Sequence, residues 1–348
     1  MIEPSNKALI EAIANIKPVS AQIAADCIER FDQVAKPLGS LGLLEDLIAR
    51  IAAVEGTIDV AIDRKAVVVF CADNGVLKHR TALHTYQVTT AIADILAKGR
   101  ASVSMMAKAA GAEVLPIDIG MVETVENIRN CKLMHGTEDM TVGPAMSRAT
   151  AEQAIAIGID IVRELKQQGI QLIATGEAGI GNTTTSSAVC AALLGRTIEE
   201  STGRGAGLDD EGLSRKLTAI EQALACNQPD AADPVDVLHK VGGLDIAGMV
   251  GLYLGAALYG LPVVMDGFIS SVAALLAVRL CATVLSYIIP SHISSEPGAQ
   301  LIVNELGLAP IIHAQMRLGE GTGAVALFPV LDMVLAVYRD AATYADIM

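Results

Sequence analysis

The chain has 348 residues, of which 52% are hydrophobic and 3% aromatic, with no tryptophan. That content excludes disorder and provides for a large core, in the Ala, Leu, Ile, Val and Gly mixture of helices packed on a parallel sheet, an α/β fold. A formal net charge of −14 with no Lys/Arg cluster argues against nucleic acid as a partner, while leaving room for one small anion held by backbone N–H groups and a lysine.

The N-terminus, Met1 to Asn6, has no basic region followed by a long apolar core, so nothing in it suggests export. Apolar spacing predicts amphipathic helices over Glu11 to Ala35 and Leu43 to Val54, separated by Lys36-Pro37-Leu38-Gly39-Ser40-Leu41-Gly42. Ala66 to Phe70 reads as a strand leading to Asp73-Asn74-Gly75. The Lys78 to Tyr86 loop holds His79 and His84, for which simple exposure is the plain reading. An Ala-rich helix is expected over Thr89 to Ala110, and a strand over Glu113 to Ile119 that carries Asp118 and stops at Gly120.

A helix over Ala149 to Gln168 precedes a strand, Ile170 to Ala174, which runs into Gly176-Glu177 and Gly181-Asn182-Thr183-Thr184-Thr185. These hydroxyls and N–H groups stand at the start of a helix over Ser186 to Leu194. They suit a phosphate or carboxylate, and they suit a plain threonine cap equally. A glycine loop, Thr202 to Leu208, precedes a helix carrying Lys216, so Arg204 or Lys216 could supply positive charge to a phosphate. Asp209-Asp210 reads as a solvated acidic pair at that helix start, not as a magnesium site.

Ile246 to Met265 is uncharged and long enough for a bilayer, but Gly260 and Pro262 divide it into a helix, Ile246 to Tyr259, and a strand, Pro262 to Met265, ending on Asp266-Gly267. No membrane span is expected. Val284 to Ile289 reads as a strand leading to Pro290-Ser291-His292, and a helix is expected over Val330 to Tyr344. The terminal helices are expected to form a small domain from residues 1–60 and 330–348, around a large α/β domain over 61–329.

Six scattered cysteines show no C-x-x-C pair and read as reduced thiols of a cytoplasmic protein. The histidines show no metal spacing, so no metal site is expected. There is no G-x-x-x-x-G-K-[ST] loop and no opening G-x-G-x-x-G, which leaves nucleotide triphosphate and dinucleotide chemistry unsupported.

Two acids stand out. Gly319-Glu320-Gly321 and Gly176-Glu177-Ala178-Gly179 each set a carboxylate among glycines, where backbone can approach a ligand closely. Both are expected at strand-to-loop transitions facing one cleft, since ligands of open parallel sheets bind beyond the carboxyl ends of the strands.

Lys36 to Gly42, Ala72-Asp73-Asn74-Gly75-Val76, Gly143-Pro144-Ala145-Met146-Ser147, Gly176-Glu177 with Gly181 to Thr184, Lys240 to Gly243 with Asp245, Pro290-Ser291-His292 with Ser294 and Glu296, and Arg317 to Gly323 occur in uninterrupted order. Together they resemble the nicotinate-nucleotide:dimethylbenzimidazole phosphoribosyltransferase family. The resemblance implies a Rossmann-like, mostly parallel sheet with helices on both faces, a homodimer, and no cofactor. It implies nicotinate mononucleotide and a benzimidazole-like base as substrates, with purines and phenols as further bases in some members.

By the same resemblance Glu320 is the base that takes the proton of the incoming ring, and Glu177 lies by the ribose. Gly179, Lys216 and Ser294 fall where the family holds phosphate and ribose, with Asn182 and Thr183 in the same binding segment. Thr85, Gln87 and Leu318 fall where it shapes the base pocket. A nucleotide-binding, non-catalytic subunit is the alternative, against which the presence of both glutamates argues.

Overall fold

A six-stranded sheet runs through the computed structural model, which describes residues 4–348. The start of the segment read as lacking a leader, Met1–Glu3, lies outside the described residues. The strands are β1 (Lys65–Ala72), β2 (Ala112–Gly120), β3 (Arg129–Asn130), β4 (Leu172–Ala178), β5 (Val263–Met265) and β6 (Ile288–Pro290). Their order is β3-β2-β1-β4-β5-β6 and every pairing is parallel. This is the doubly wound order, in which the direction of winding reverses between β1 and β4 and opens a crevice at their carboxyl ends.

The helices in chain order are α1 (Pro4–Ala14), α2 (Ala21–Gln33), α3 (Leu43–Glu55), α4 (Tyr86–Ala97), α5 (Ser102–Ala109), α6 (Arg148–Gln167), α7 (Asn182–Leu194) and α8 (Ile198–Ser201). They continue with α9 (Asp210–Asn227), α10 (Pro234–Val241), α11 (Leu244–Tyr259), α12 (Phe268–Leu280), α13 (Pro297–Glu305), α14 (Thr322–Asp340) and α15 (Tyr344–Ile347).

All eight residues of β1 are buried, and alternate side chains enter two different cores. Ala66, Val68 and Phe70 join Ile117, Ile119 and Ile173 under α6, α11 and α12. Val67, Val69 and Cys71 join Phe31, Ile48, Ile51 and Phe328 under α2, α3 and α14. Each fully buried side chain of this size stabilises by about 1.5–3 kcal/mol. Because both faces are covered, β1 shows no polar alternation, and the uninterrupted apolar run is its signature.

The uncharged segment of bilayer length is the centre of the first core. A Cβ on Gly251 of α11 would lie 2.0 Å from the Ile155 carbonyl oxygen of α6, and one on Gly158 would lie 2.2 Å from that of Gly248. The two helix backbones therefore touch, which only glycine permits. Among the described residues α14 is the one helix long and apolar enough to cross a membrane. Its Leu327, Phe328, Leu331 and Leu335 are buried in the second core.

Several boundaries differ from expectation for local reasons. The helix expected over Glu11 to Ala35 breaks into α1 and α2 at Pro18, which lacks a donor and restricts the residue before it; Ser20 then caps α2 by accepting from the Ile23 N–H. The helix expected over Thr89 to Ala110 breaks at Gly99, where φ is +62°. Most of the strand expected over Val284 to Ile289 is a 3-10 helix (Ala282–Tyr287), and only Ile288–Pro290 pairs, with β5.

The terminal segments do meet: α2 packs on α3, α14 on α3, and Val34 pairs antiparallel with Thr343. Their buried side chains nonetheless share the second core with the sheet. The helix expected from Val330 begins at Thr322 and carries Pro329 inside it, so it runs unbroken across the 329/330 division.

Candidate active site

The crevice between β1 and β4 is lined by carboxylates. Glu177 is the penultimate residue of β4, so the strand continues through the glycine-framed acid instead of ending before it; it stands beside Phe70 in the β1–β4 register. Glu320 occupies a loop-to-helix turn, not the end of a strand, immediately before α14. Asp245 opens α11, and Asp266 follows β5.

Asn182, the first residue of α7, ties two of these acids together. Its Nδ2 donates to Glu177 Oε2 at 2.5 Å and to Asp245 Oδ2 at 2.9 Å. Burial pushes the Glu177 carboxyl well above its ordinary range; the Asp245 charge adds to the rise and the Asn182 amide opposes it. Burial likewise raises Asp245 to about 6, against hydrogen bonds from Asn182 and the Ile246 N–H. Asp73, just beyond β1, is also raised by burial, while its Oδ2 accepts from the Val122 N–H at 2.8 Å.

Glu320 is presented differently. Its φ is +62°, between Gly319 at +87° and Gly321 at +89°. A left-handed, non-glycine residue is strained, and here the surroundings hold it. The Glu320 N–H donates to the Glu177 carbonyl at 3.1 Å, and its Oε2 accepts from the Val103 N–H in the first turn of α5 at 3.3 Å. The approach is so close that a Cβ on Gly319 would lie 2.5 Å from Glu177 Oε1, and one on Gly176 would lie 2.6 Å from the Glu320 carbonyl oxygen. Partial burial raises the Glu320 carboxyl, the Val103 N–H opposes this, and the charge of Asp266 adds to it.

The positive end of the cleft is Lys216 on α9. It is fully buried, and its Nζ donates to Thr183 Oγ1 at 2.9 Å and to the Gly203 carbonyl at 3.0 Å. Burial lowers it to about 8, with Glu296 opposing the fall. Thr183 stands in the first turn of α7, whose N-cap is Gly181 with no side-chain cap, so the threonines do not cap the helix. A helix N-terminus, a hydroxyl and a buried ammonium together suit one phosphate. Arg204 is turned away onto Asp210 and the Leu208 carbonyl, and Asp209 caps α9 by accepting from the Gly212 N–H, as its position implied.

Glu320, Glu177, Gly179, Asn182, Thr183, Ser294 and Leu318 line one cleft, with Lys216 directly behind Thr183. Thr85 and Gln87 do not line it. Thr85 is the N-cap residue of α4, and its Oγ1 donates to Gln87 Oε1 at 2.7 Å on the exposed side. Ala82, Leu83 and His84 form that wall instead, and Thr85 borders an adjoining cavity behind them. His79, read as simply exposed, is half-buried, with Nε2 2.9 Å from both Asp139 Oδ2 and Thr141 Oγ1. Among the described residues no group of His, Cys, Asp and Glu is arranged to hold a metal.

A family model described as phosphoribosyltransferase (DBI_PRT) matches residues 16–347. The chain belongs to this family. It is 45% identical to the nicotinate-nucleotide--dimethylbenzimidazole phosphoribosyltransferase of Acetivibrio thermocellus, over 91% of each chain. It is 42% identical to that of Clostridium acetobutylicum, over 96% of each. The crystal structure of CobT from Thermus thermophilus superposes with a TM-score of 0.89 at 36% identity, covering 94% of this chain and 98% of that one.

For a phosphoribosyltransferase the carboxylates have a chemical use, because the sugar carbon becomes cationic as its bond to the leaving group stretches. Asp266 and Asp245 were legible only as parts of motifs, and their roles were not. Asp266 is a strand-end residue whose partners at Gly321, Gly323 and Ala324 stand far along the chain, so no local signal reports it. Asp245 and Asn182 are likewise distant in the chain and meet only where the first turns of α7 and α11 exchange a hydrogen bond.

Proposed function

We propose that this chain transfers the phosphoribosyl group of nicotinate mononucleotide to 5,6-dimethylbenzimidazole or a related base, giving α-ribazole 5′-phosphate and nicotinate for the lower ligand of cobalamin. The names of the relatives support the reaction. The residue roles rest on the geometry of the cleft.

A ring nitrogen of the base attacks C1′ from the face opposite nicotinate. The C1′–N bond to the pyridinium breaks, and its electron pair stays on the departing nitrogen, which leaves neutral and needs no acid. The attacking ring becomes cationic, and its remaining N–H proton passes to Glu320. Lys216, Thr183 and the start of α7 take the 5′-phosphate, and Glu177, backed by Asp245 through the Asn182 amide, faces the cationic sugar. The carrying observation is the Glu320 carboxylate, held in the cleft by a left-handed turn with a raised affinity for protons.

The homodimer is part of this proposal, as is a cytoplasmic location, which six cysteines free of disulfides support. The test is nicotinate release from nicotinate mononucleotide with a panel of bases. Base-dependent release that falls in Glu320→Gln supports the reading. Release with water alone indicates a nucleosidase, and no release with any base indicates a nucleotide-binding subunit.

A further inference from the structure

Asp266 is a buried carboxylate with an unusual set of partners. Its Oδ1 accepts from the N–H groups of Gly323 at 2.8 Å and Ala324 at 3.0 Å, and its Oδ2 accepts from that of Gly321 at 3.2 Å. These belong to the N-terminal turn of α14, where backbone N–H groups have no partner within the helix. The Asp266 backbone is itself fixed, since its N–H donates to Thr175 Oγ1 of β4 at 3.2 Å. On the far side the imidazole of His292 lies 3.9 Å away. A Cβ on Gly323 would fall 1.9 Å from that ring, so the turn is clamped between the two side chains.

Glu320 immediately precedes this turn and bears the strained φ. Backbone strain of this kind persists only where neighbouring contacts enforce it. The contacts enforcing it here are the Asp266 bonds on one side and the Glu320 N–H bond to the Glu177 carbonyl on the other.

We infer that Asp266 is the positioning residue for Glu320: by capping α14 from β5 it fixes the turn that aims the Glu320 carboxylate into the cleft. The inference rests on Glu320 being the base. Asp266 also acts through space, because its charge raises the proton affinity of Glu320. The other charged or titratable groups lining the same cleft are Glu177 from β4, His84 before α4, His292 and Glu296 after β6, and Arg317 on the same loop as Glu320.

The test compares kcat, KM and pH–rate profiles of wild type, Asp266→Asn, Glu320→Gln and the double variant. Asp266→Asn is expected to lower kcat about ten- to a hundredfold, as misplacing a reacting group does, with KM for both substrates within about threefold. Its acid limb moves to lower pH, because a negative neighbour of the base is gone. The double variant is expected to be no slower than Glu320→Gln alone, since the two residues act as one unit.

Unchanged kcat and acid limb in Asp266→Asn, or losses that multiply in the double variant, would overturn the inference while leaving Glu320 as base. Full activity in Glu320→Gln would instead remove the reading beneath it. If Asp266→Asn does not fold, hydrogen exchange on the wild type decides: the Gly321, Gly323 and Ala324 amides are expected to exchange slowly for a helix start, and fast exchange there overturns the inference.

Discussion

Glu177 and Glu320 are written alike in the chain, each among glycines, yet the fold treats them oppositely. Glu177 is part of a strand, buried in the crevice and bonded through one amide to a second carboxyl. Glu320 stands on a left-handed turn off the sheet, half-buried, with a single backbone donor on its carboxylate. Identical side chains thus acquire different proton affinities and different access to a ligand. Full burial without a cation favours the neutral form at Glu177, while Glu320 is only partly buried and its carboxylate accepts from the Val103 N–H, which favours the ionised form that can accept a proton.

The largest expected effect separates the two directly. Glu320→Gln should lower kcat by about two to four orders of magnitude with KM little changed, because the amide keeps the shape and removes the basicity. Glu177→Gln should cost about tenfold, since burial raises the proton affinity of this carboxyl and an amide matches the shape and hydrogen bonding of its neutral form. Steady-state nicotinate release measures both, and a reversal of the two magnitudes would break the contrast.

The buried carboxyls should also appear in stability. Asp245 is raised to about 6 in the folded chain, above the range of an unfolded aspartate, so the folded state binds the extra proton between these values. Its contribution is therefore present at low pH and lost as pH rises from about 4 through 6, by roughly 2–3 kcal/mol. Urea unfolding between pH 4.5 and 7 is expected to show this decline, and Asp245→Asn to flatten it. Glu177 is raised as well and acts in the same direction, as does Glu55 at about 7, so a decline that survives in Asp245→Asn belongs to these other carboxyls, and adding Glu177→Gln or Glu55→Gln tells them apart.

The smallest expected effect lies at the opposite pole of the cleft. Lys216→Met should raise KM for nicotinate mononucleotide about tenfold, as loss of one charge-assisted hydrogen bond does, with a smaller change in kcat. Because burial lowers this ammonium to about 8, affinity of the wild type should weaken as pH rises past that value. An unchanged KM in the variant would move the phosphate away from Thr183.

Much of the fold was legible because its signals are local. The apolar runs of β1, β2 and β4 and the apolar spacing of α3, α6 and α11 mark elements whose burial is set by side-chain type alone. Pro18 and Gly99 break the expected helices locally, and the apolar periodicity that continues on either side of each masks the break. The strand expected at Val284 failed because its 3-10 turn and its strand have similar apolar content, and only pairing with β5 distinguishes them. The adjoining placement of Thr85 and Gln87 was hidden for a related reason: a capping turn points outward or inward according to what packs behind it.

The sequence by itself determined the α/β class, the glycine frames that allow left-handed backbone at residues 319–321, and the identity of the acids and the lysine available to a cleft. Only the tertiary structure decided which acid is buried on a strand and which is half-buried on a left-handed turn, that Asn182 joins Glu177 to Asp245, and that Asp266 caps α14. The physical reason is range. Backbone dihedrals and burial tendency are properties of a residue and its neighbours, whereas proton affinity and aim are set by charges and donors that parallel crossovers bring together from β4, β5, α7, α11 and α14.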